Sequence, residues 1–263
     1  MIVTLVSNAY ITAVFIDRLD NIYFVNQNNN SVQKLSTTNG LLTIVAGGNI
    51  VNGPHGFALN ELNNPLGLYV DRSSTVYVSD TYNNRVMKWL ANAKIGSVVA
   101  GGGIYTSVGV GRALNQLNLP VGIFVDEINE IGALYICDSN NYRIQKWLSG
   151  ASAGITVADG TGGALLNQIS QPWSIIVDTN SIMYITDRDM GMYGNGNRVM
   201  KWLSNARQGQ VTAGTQYGVG AGSNLLHSPQ GIKFDSSWNL YVADWYNHRV
   251  QKFIFNKSVN TSC

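Results

Sequence analysis

The segments SDTYNNRVMKW (Ser79 to Trp89), CDSNNYRIQKW (Cys137 to Trp147) and ADWYNHRVQKF (Ala243 to Phe253) write one pattern three times. It reads D-x-x-N-x-R, then an apolar residue, any residue, Lys and an aromatic. A fourth copy runs from Asp187 to Trp202, with a loop spliced in that lengthens the Asp-to-Arg spacing from five positions to eleven. A chain that repeats itself at this scale folds as a series of supersecondary units, each too small to bury its own apolar surface alone.

Upstream of the copies stand PLGLYVD, PVGIFVD, PWSIIVD and PQGIKFD, opening at Pro65, Pro120, Pro172 and Pro229 with a period of 52 to 57 residues. With the second apolar run of each unit and an outer run such as SVVAGGG (Ser97 to Gly103), every unit holds four short segments. They are rich in Val, Ile, Tyr and Phe and bounded by Gly, Pro, Asn or Asp, which predicts strands. The apolar runs are nearly continuous, so both faces of each sheet are expected to be covered. None of the links has the i, i+3, i+4, i+7 pattern that an α/β solenoid would need. Four-stranded units stacked radially make a β-propeller.

The combination P-x-G-[IL]-x-[VF]-D, then Y-[VI]-x-D-x-x-N-x-R-[VI]-x-K-W, resembles the NHL-repeat β-propeller family over essentially the whole chain. The G-H and W-D pairs of WD40 repeats and the double glycine of kelch repeats do not recur. The resemblance implies a propeller that commonly has six blades, whereas the strands here count to five. A degenerate first copy supplies AVFID, NIYFVN and SVQKL, and outer strands follow four copies, from Leu41, Gly96, Gly154 and Gly209. The fifth copy, ending in QKFIF (Gln251 to Phe255), lacks one, and the opening MIVTLVSN is similar enough to LLTIVAGG to provide it. The expectation is one all-β domain over residues 1–263, a five-bladed β-propeller of four-stranded blades. Its ring is closed by Met1 to Ser7 completing the last blade. The alternative is part of a six-bladed propeller.

Each hairpin brings Asp80 and Arg85, Asp138 and Arg143, Asp187 and Arg198, or Asp244 and Arg249 within reach of a bidentate pair, with the Asn on the turn backbone. In the first copy both charges vanish together, replaced by Asn26 and Ser31. A structural pair requires such joint loss, because either charge alone is a liability when partly buried; a ligand site is the competing reading. Asp17, Asp71, Asp126, Asp178 and Asp235 follow the inner strands and are assigned to turn amides. Lys34, Lys88, Lys146, Lys201 and Lys252 are expected to lay their stems between blades.

The residues left over limit the chemistry. Net charge is +2, and the cations outside the repeat, among them Arg18, Arg72, Arg188 and Lys233, are scattered. No phosphate-binding stripe results, and nucleic acid is not expected as a partner. Cys137 takes the place of Ser79, Thr186 and Ala243, so it reads as a small buried filler, and with Cys263 it makes no disulfide framework. His55, His227 and His248 lack metal-ligand spacing. Thr12, Leu66, Val121, Trp173 and Gln230, which follow the strand-one proline position and should face the channel mouth, include no acid or histidine. No metal or other cofactor is expected, and no catalytic residue stands out. A metal-dependent hydrolase or lyase at the channel mouth is the alternative. No apolar run approaches the roughly 18 residues of a membrane helix. The opening MIVTLVSNAY lacks the basic region of a signal peptide. The sequons at Asn29, Asn256 and Asn260 leave the compartment open.

The positive case rests on loops. The Gly-rich links Gly47 to Asn64, Gly101 to Leu119, Gly160 to Gln171 and Gly214 to Ser228 should share one face with the strand-two to strand-three turns. Loops on a rigid scaffold are where recognition resides. On that face Trp173, Met190, Met192, Tyr193, His227 and Tyr246 form the expected binding set, suited by aromatic and Met content to a protein or peptide. The expected function is a non-enzymatic binding or scaffold module, acting as a monomer.

Overall fold

A computed structural model describes residues 6, 9–48, 56–102, 110–160, 162–189 and 196–255. Among them the regular structure is all β, apart from single 3-10 turns. The first sheet comprises β1 (Ile11–Ile16), β2 (Ile22–Asn26), β3 (Ser31–Leu35) and β4 (Leu42–Gly47) in that spatial order. The second holds β5 (Gly67–Val70), β6 (Val76–Asp80), β7 (Arg85–Trp89) and β8 (Ser97–Gly101), and the third β9 (Pro120–Asp126), β10 (Ala133–Asp138), β11 (Arg143–Trp147) and β12 (Ile155–Asp159). The fourth is built from β13 (Pro172–Val177), β14 (Met183–Asp187), β15 (Arg198–Trp202) and β16 (Gln210–Gly214). The fifth has β17 (Pro229–Phe234), β18 (Leu240–Asp244) and β19 (Arg249–Phe253). Every sheet is an antiparallel meander, so the fold class is the expected five-bladed β-propeller. The ring closure assigned to Met1 to Ser7 falls on residues that, Val6 apart, lie outside the described set.

The chain divides into two compact units, Met1–Val157 and Ala158–Cys263. Within the first, the apolar residues of neighbouring blades interlock. Tyr23, Val25, Val32 and Ala46 of the first sheet pack on Leu68, Val70, Val78, Met87 and Trp89 of the second. Val86 and Ala100 of the second then pack on Ile123, Val125, Ile136 and Trp147 of the third. Within the second unit, Val199 and Ala213 pack on Leu240 and Val242. The second residue of strand three packs on the following blade at Val32, Val86 and Val199, and these three and Ile144 are fully buried.

The fifth blade departs from that rule. Its equivalent residue, Val250, is 69% exposed, and β19 alternates between half-buried and exposed positions. On the inner strand of the first blade, Val14 and Ile16 are likewise exposed, where Leu68 and Val70, or Ile123 and Val125, are buried. The expectation that every sheet is covered on both faces therefore fails for these two, because no other sheet of its own unit lies against the face concerned.

The strand-two to strand-three turns take a form that strand patterning does not predict. Each is a single 3-10 turn, at Gln27–Asn29, Thr81–Asn83, Ser139–Asn141 and Trp245–Asn247. Each ends on a left-handed residue, Asn30, Asn84, Tyr142 or His248, with φ between 50° and 58°. In the fourth blade the described residues that follow β14, Arg188 and Asp189, are not in a 3-10 turn.

Candidate recognition face

The D-x-x-N-x-R motif anchors the long links to the blades. Asp and Arg stand opposite each other at the end of the hairpin in all four copies. The pair is made through one contact and is not the expected bidentate fork. Arg85 Nε donates to Asp80 Oδ2 at 2.6 Å, and Arg143, Arg198 and Arg249 do the same to Asp138, Asp187 and Asp244 at 2.7, 3.1 and 2.7 Å. The reason is that the Nη groups are taken by the preceding link. Arg85 holds the carbonyls of Phe57, Ala58 and Glu61; Arg143 those of Arg112, Ala113 and Gln116. Arg198 holds Ala164, Leu165 and Gln168, and Arg249 holds Ala221, Gly222 and Leu225.

The carboxylate completes the anchor. Its Oδ1 accepts the N–H of the residue two before the proline: Asn63, Asn118, Ser170 and His227, at 2.6 to 2.7 Å. Three asparagines of the motif, Asn83, Asn141 and Asn247, donate to Oδ2 and to a link carbonyl, Gly56, Gly111 or Gly220. A buried carboxylate is tolerable only when its oxygens are saturated in this way. Even so, burial pushes the carboxyls of Asp80 and Asp138 upward, and that of Asp187, enclosed with Arg198, to about 7.

In every copy the first carbonyl held by Arg lies eight positions before the proline. A matching sequence signal runs through FALNELNNP, RALNQLNLP, ALLNQISQP and AGSNLLHSP, each with Asn at the fourth place and Leu or Ile at the sixth. Leu62, Leu117, Ile169 and Leu226, at the sixth place, are all buried. Reading these links as Gly-rich loops hid a second repeat inside them.

A further contact joins successive blades. Asn30, Asn84 and Asn197, each just before strand three, accept the N–H of Asn64, Leu119 and Ser228 at 2.6 to 2.8 Å. Those acceptors hold the residue before Pro65, Pro120 and Pro229 at φ of 49° to 51°, in the left-handed region. The inner-strand aspartates behave as expected, each accepting two or more turn N–H groups, as Asp17 does from Leu19 and Asn21. Three of the strand-three lysines show where their charged ends go. Lys34, Lys146 and Lys252 place their ammonium over Tyr23, Tyr135 and Tyr241 of their own sheet, 5.2 to 5.6 Å from the ring centre. Cys137 is buried, and burial pushes its thiol well up.

On this anchored frame the fifth blade presents an aromatic cluster. His227 stacks on Tyr246 at 4.5 Å and 15°, and Trp245 meets Tyr246 edge-on at 4.8 Å. Tyr246 N–H donates to the His227 carbonyl, and His227 N–H to Asp244, so backbone bonds fix the cluster. Trp245 and Tyr246 are still about half exposed, at 49% and 52%. Trp245 was absent from the expected set, although it sits inside the motif. Trp173, on β13, is half-buried and carries Arg188 over its ring, the guanidinium carbon 3.2 Å from the centre. Met190, Met192 and Tyr193 lie outside the described residues. Among the described residues no three His, Cys, Asp or Glu side chains gather as a metal site would require. Among the described residues there is also no helix long and apolar enough to cross a membrane.

The NHL repeat family model matches residues 226–253, the fifth copy with its aromatic cluster. No curated protein matches the chain in sequence. Among solved structures it is similar to a nidogen/laminin complex, at 16% identity over 92% of this chain and 74% of that one, with a TM-score of 0.64. Virginiamycin B lyase from Staphylococcus aureus matches at 12% identity, 94% and 71% coverage and a TM-score of 0.57. A gluconolactonase from Xanthomonas campestris matches at 13% identity, 89% and 69% coverage and 0.59. At these identities the likeness is one of fold.

Proposed function

Because this chain carries the NHL repeat on a β-propeller fold, we propose that it is a non-enzymatic binding module that recognises a protein or peptide through the loop-rich face and channel mouth of the propeller. The observation that carries this reading is the aromatic cluster of His227, Trp245 and Tyr246. His227 stacks on Tyr246 and Trp245 meets Tyr246 edge-on at a half-exposed surface, on backbone that the buried Asp244 carboxylate, paired with Arg249, holds in place. Rigid aromatic anchors of this kind lose little conformational entropy on binding and dominate interface energetics. Trp173, Met190, Met192 and Tyr193 belong to the same proposed face. The nidogen/laminin complex, an assembly of proteins, lends the reading a parallel in fold. The sparse free cations favour a protein over a nucleic acid.

The test is affinity capture with the wild-type chain against W173A and a W245A/Y246A pair. Hot-spot aromatics contribute about 2 kcal/mol or more each, a loss of roughly thirtyfold in affinity. Specific partners should therefore drop out of the variant captures. Identical partners for all three proteins would overturn the assignment of the face.

A further inference from the structure

The residue after the motif aspartate differs in kind between the blades. Thr81 and Ser139 fill that place as small buried side chains, and Thr81 Oγ1 donates to the Pro120 carbonyl. The fourth blade puts Arg188 there, and it is 6% exposed. The same blade carries Trp173 where Thr12, Leu66, Val121 and Gln230 stand in the others. The two departures meet, since the Arg188 guanidinium lies over the Trp173 ring. An indole face attracts a cation and holds the planar fork in place.

Arg188 differs from the motif arginines in what its fork touches. Its Nε donates to Gln171 Oε1 at 3.0 Å, and among the described residues no carboxylate lies within ion-pair distance of its nitrogens. The adjacent Asp187 is committed to Arg198 through Oδ2 and to the Ser170 and Gln171 N–H groups through Oδ1. Burial alone, with no countercharge, pushes the Arg188 guanidinium down to about 10. A buried cation without a countercharge is an expensive group to keep, and an arriving anion relieves it.

We propose that Arg188, backed by Trp173 and steadied by Gln171, is a carboxylate-binding site that takes an acidic side chain or the C terminus of the peptide partner; this rests on the binding function proposed above. A guanidinium offers two parallel N–H groups to a carboxylate, which an ammonium at the same place would not. The fourth blade thus supplies the charged determinant of recognition, and the fifth blade the apolar one.

The test follows the Arg188 Nε–Hε signal of the arginine-labelled full chain by NMR, assigned by its loss in R188K. The titrants are N-acetyl-aspartic acid amide, with only a side-chain carboxylate; N-acetylglycine, with only a terminal one; N-acetyl-asparagine amide as the neutral control; and inorganic phosphate. A saturable shift with either carboxylate, and none with the neutral amide, is the expected result, and the responding acid identifies which kind of group is read. In R188Q, followed through the Trp173 indole N–H, carboxylate affinity should fall at least tenfold. No saturable shift with either acid, an equal response to the neutral amide, tighter binding of phosphate, or unchanged affinity in R188Q would each overturn the site. Carboxylate binding combined with unchanged captures by both W173A and W245A/Y246A would keep this site and sink the proposed function. Lost partners without carboxylate binding would do the reverse.

Discussion

The Asn84 side-chain oxygen accepts the Leu119 backbone N–H at 2.8 Å, across 35 positions of sequence, and holds a leucine in the left-handed region just before Pro120. This bond ties the turn of the second blade to the entry of the third. Removing the acceptor leaves a partly buried N–H without a partner and a leucine at φ 49° without its restraint. Asn84→Ala should therefore cost about 1 to 3 kcal/mol, read as a lowered thermal midpoint. Asn84→Asp keeps an acceptor and should recover more than half of the loss. Equal losses for the two variants would mean that the bond contributes nothing.

The first blade has already dispensed with the motif pair, carrying Asn26 and Ser31 opposite each other where the second has Asp80 and Arg85. Arg85→Ser alone strands a fully buried carboxylate and should cost about 3 to 5 kcal/mol. Adding Asp80→Asn removes the stranded charge. A double-mutant cycle should then give a coupling of at least about 1 kcal/mol, with the double variant more stable than the two single losses predict. Strict additivity would show that the two charges do not depend on each other.

Asp187 should titrate near pH 7 in the folded protein, because its burial outweighs the pull of Arg198 and of the Ser170 and Gln171 N–H groups. Its ordinary value is 3.8, so between about pH 4 and 7 the folded state binds more proton than the unfolded one. Stability from this group is fully present below pH 3.8 and is lost as pH rises through 7. Asp187→Asn should flatten the stability curve over that window. Carboxyl NMR showing Asp187 ionised at pH 4 would contradict the assignment.

Val86 and Val250 occupy the same place in the repeat, one fully buried and the other 69% exposed. Val86→Ala should cost about 2 kcal/mol, through lost burial and the cavity left behind. Val250→Ala should change stability by less than about 0.5 kcal/mol. Comparable melting shifts would mean that the Val250 face is covered in solution.

Most of the fold was legible because strands announce themselves locally. Val, Ile and Tyr runs between Gly, Pro and Asn locate β5 to β7 within a residue or two, and the spacing of Pro65, Pro120, Pro172 and Pro229 gives the blades. What eluded the sequence depends on which atom meets which. Motif spacing brings Arg143 beside Asp138 but cannot tell a fork from a single Nε contact, since the link carbonyls that claim the Nη groups lie 27 to 31 positions away. The placement of Lys146 over Tyr135 of its own blade is equally a matter of side-chain direction. The exposure of Val250 has no trace in the sequence, because that position is Val or Ile in every copy. Trp173 and Arg188 could be seen singly as departures from the pattern; their contact could not. The N-x-[LI]-x-x-P signal in the links was present in the letters throughout, masked by the glycines before it.

Each link has two parts with different freedoms. From the first carbonyl gripped by arginine to the proline the length never varies, while the stretch between the outer strand and that carbonyl spans ten, eleven, five and seven positions from Gly47, Gly101, Asp159 and Gly214. The rear half works as a socket and the front half as an exchangeable cartridge. That stretch changes length from blade to blade while the strand order of the sheets stays the same. A scaffold wired in this way can change what it recognises one blade at a time, and a designer could graft a chosen peptide into any of the four front halves under the same rule.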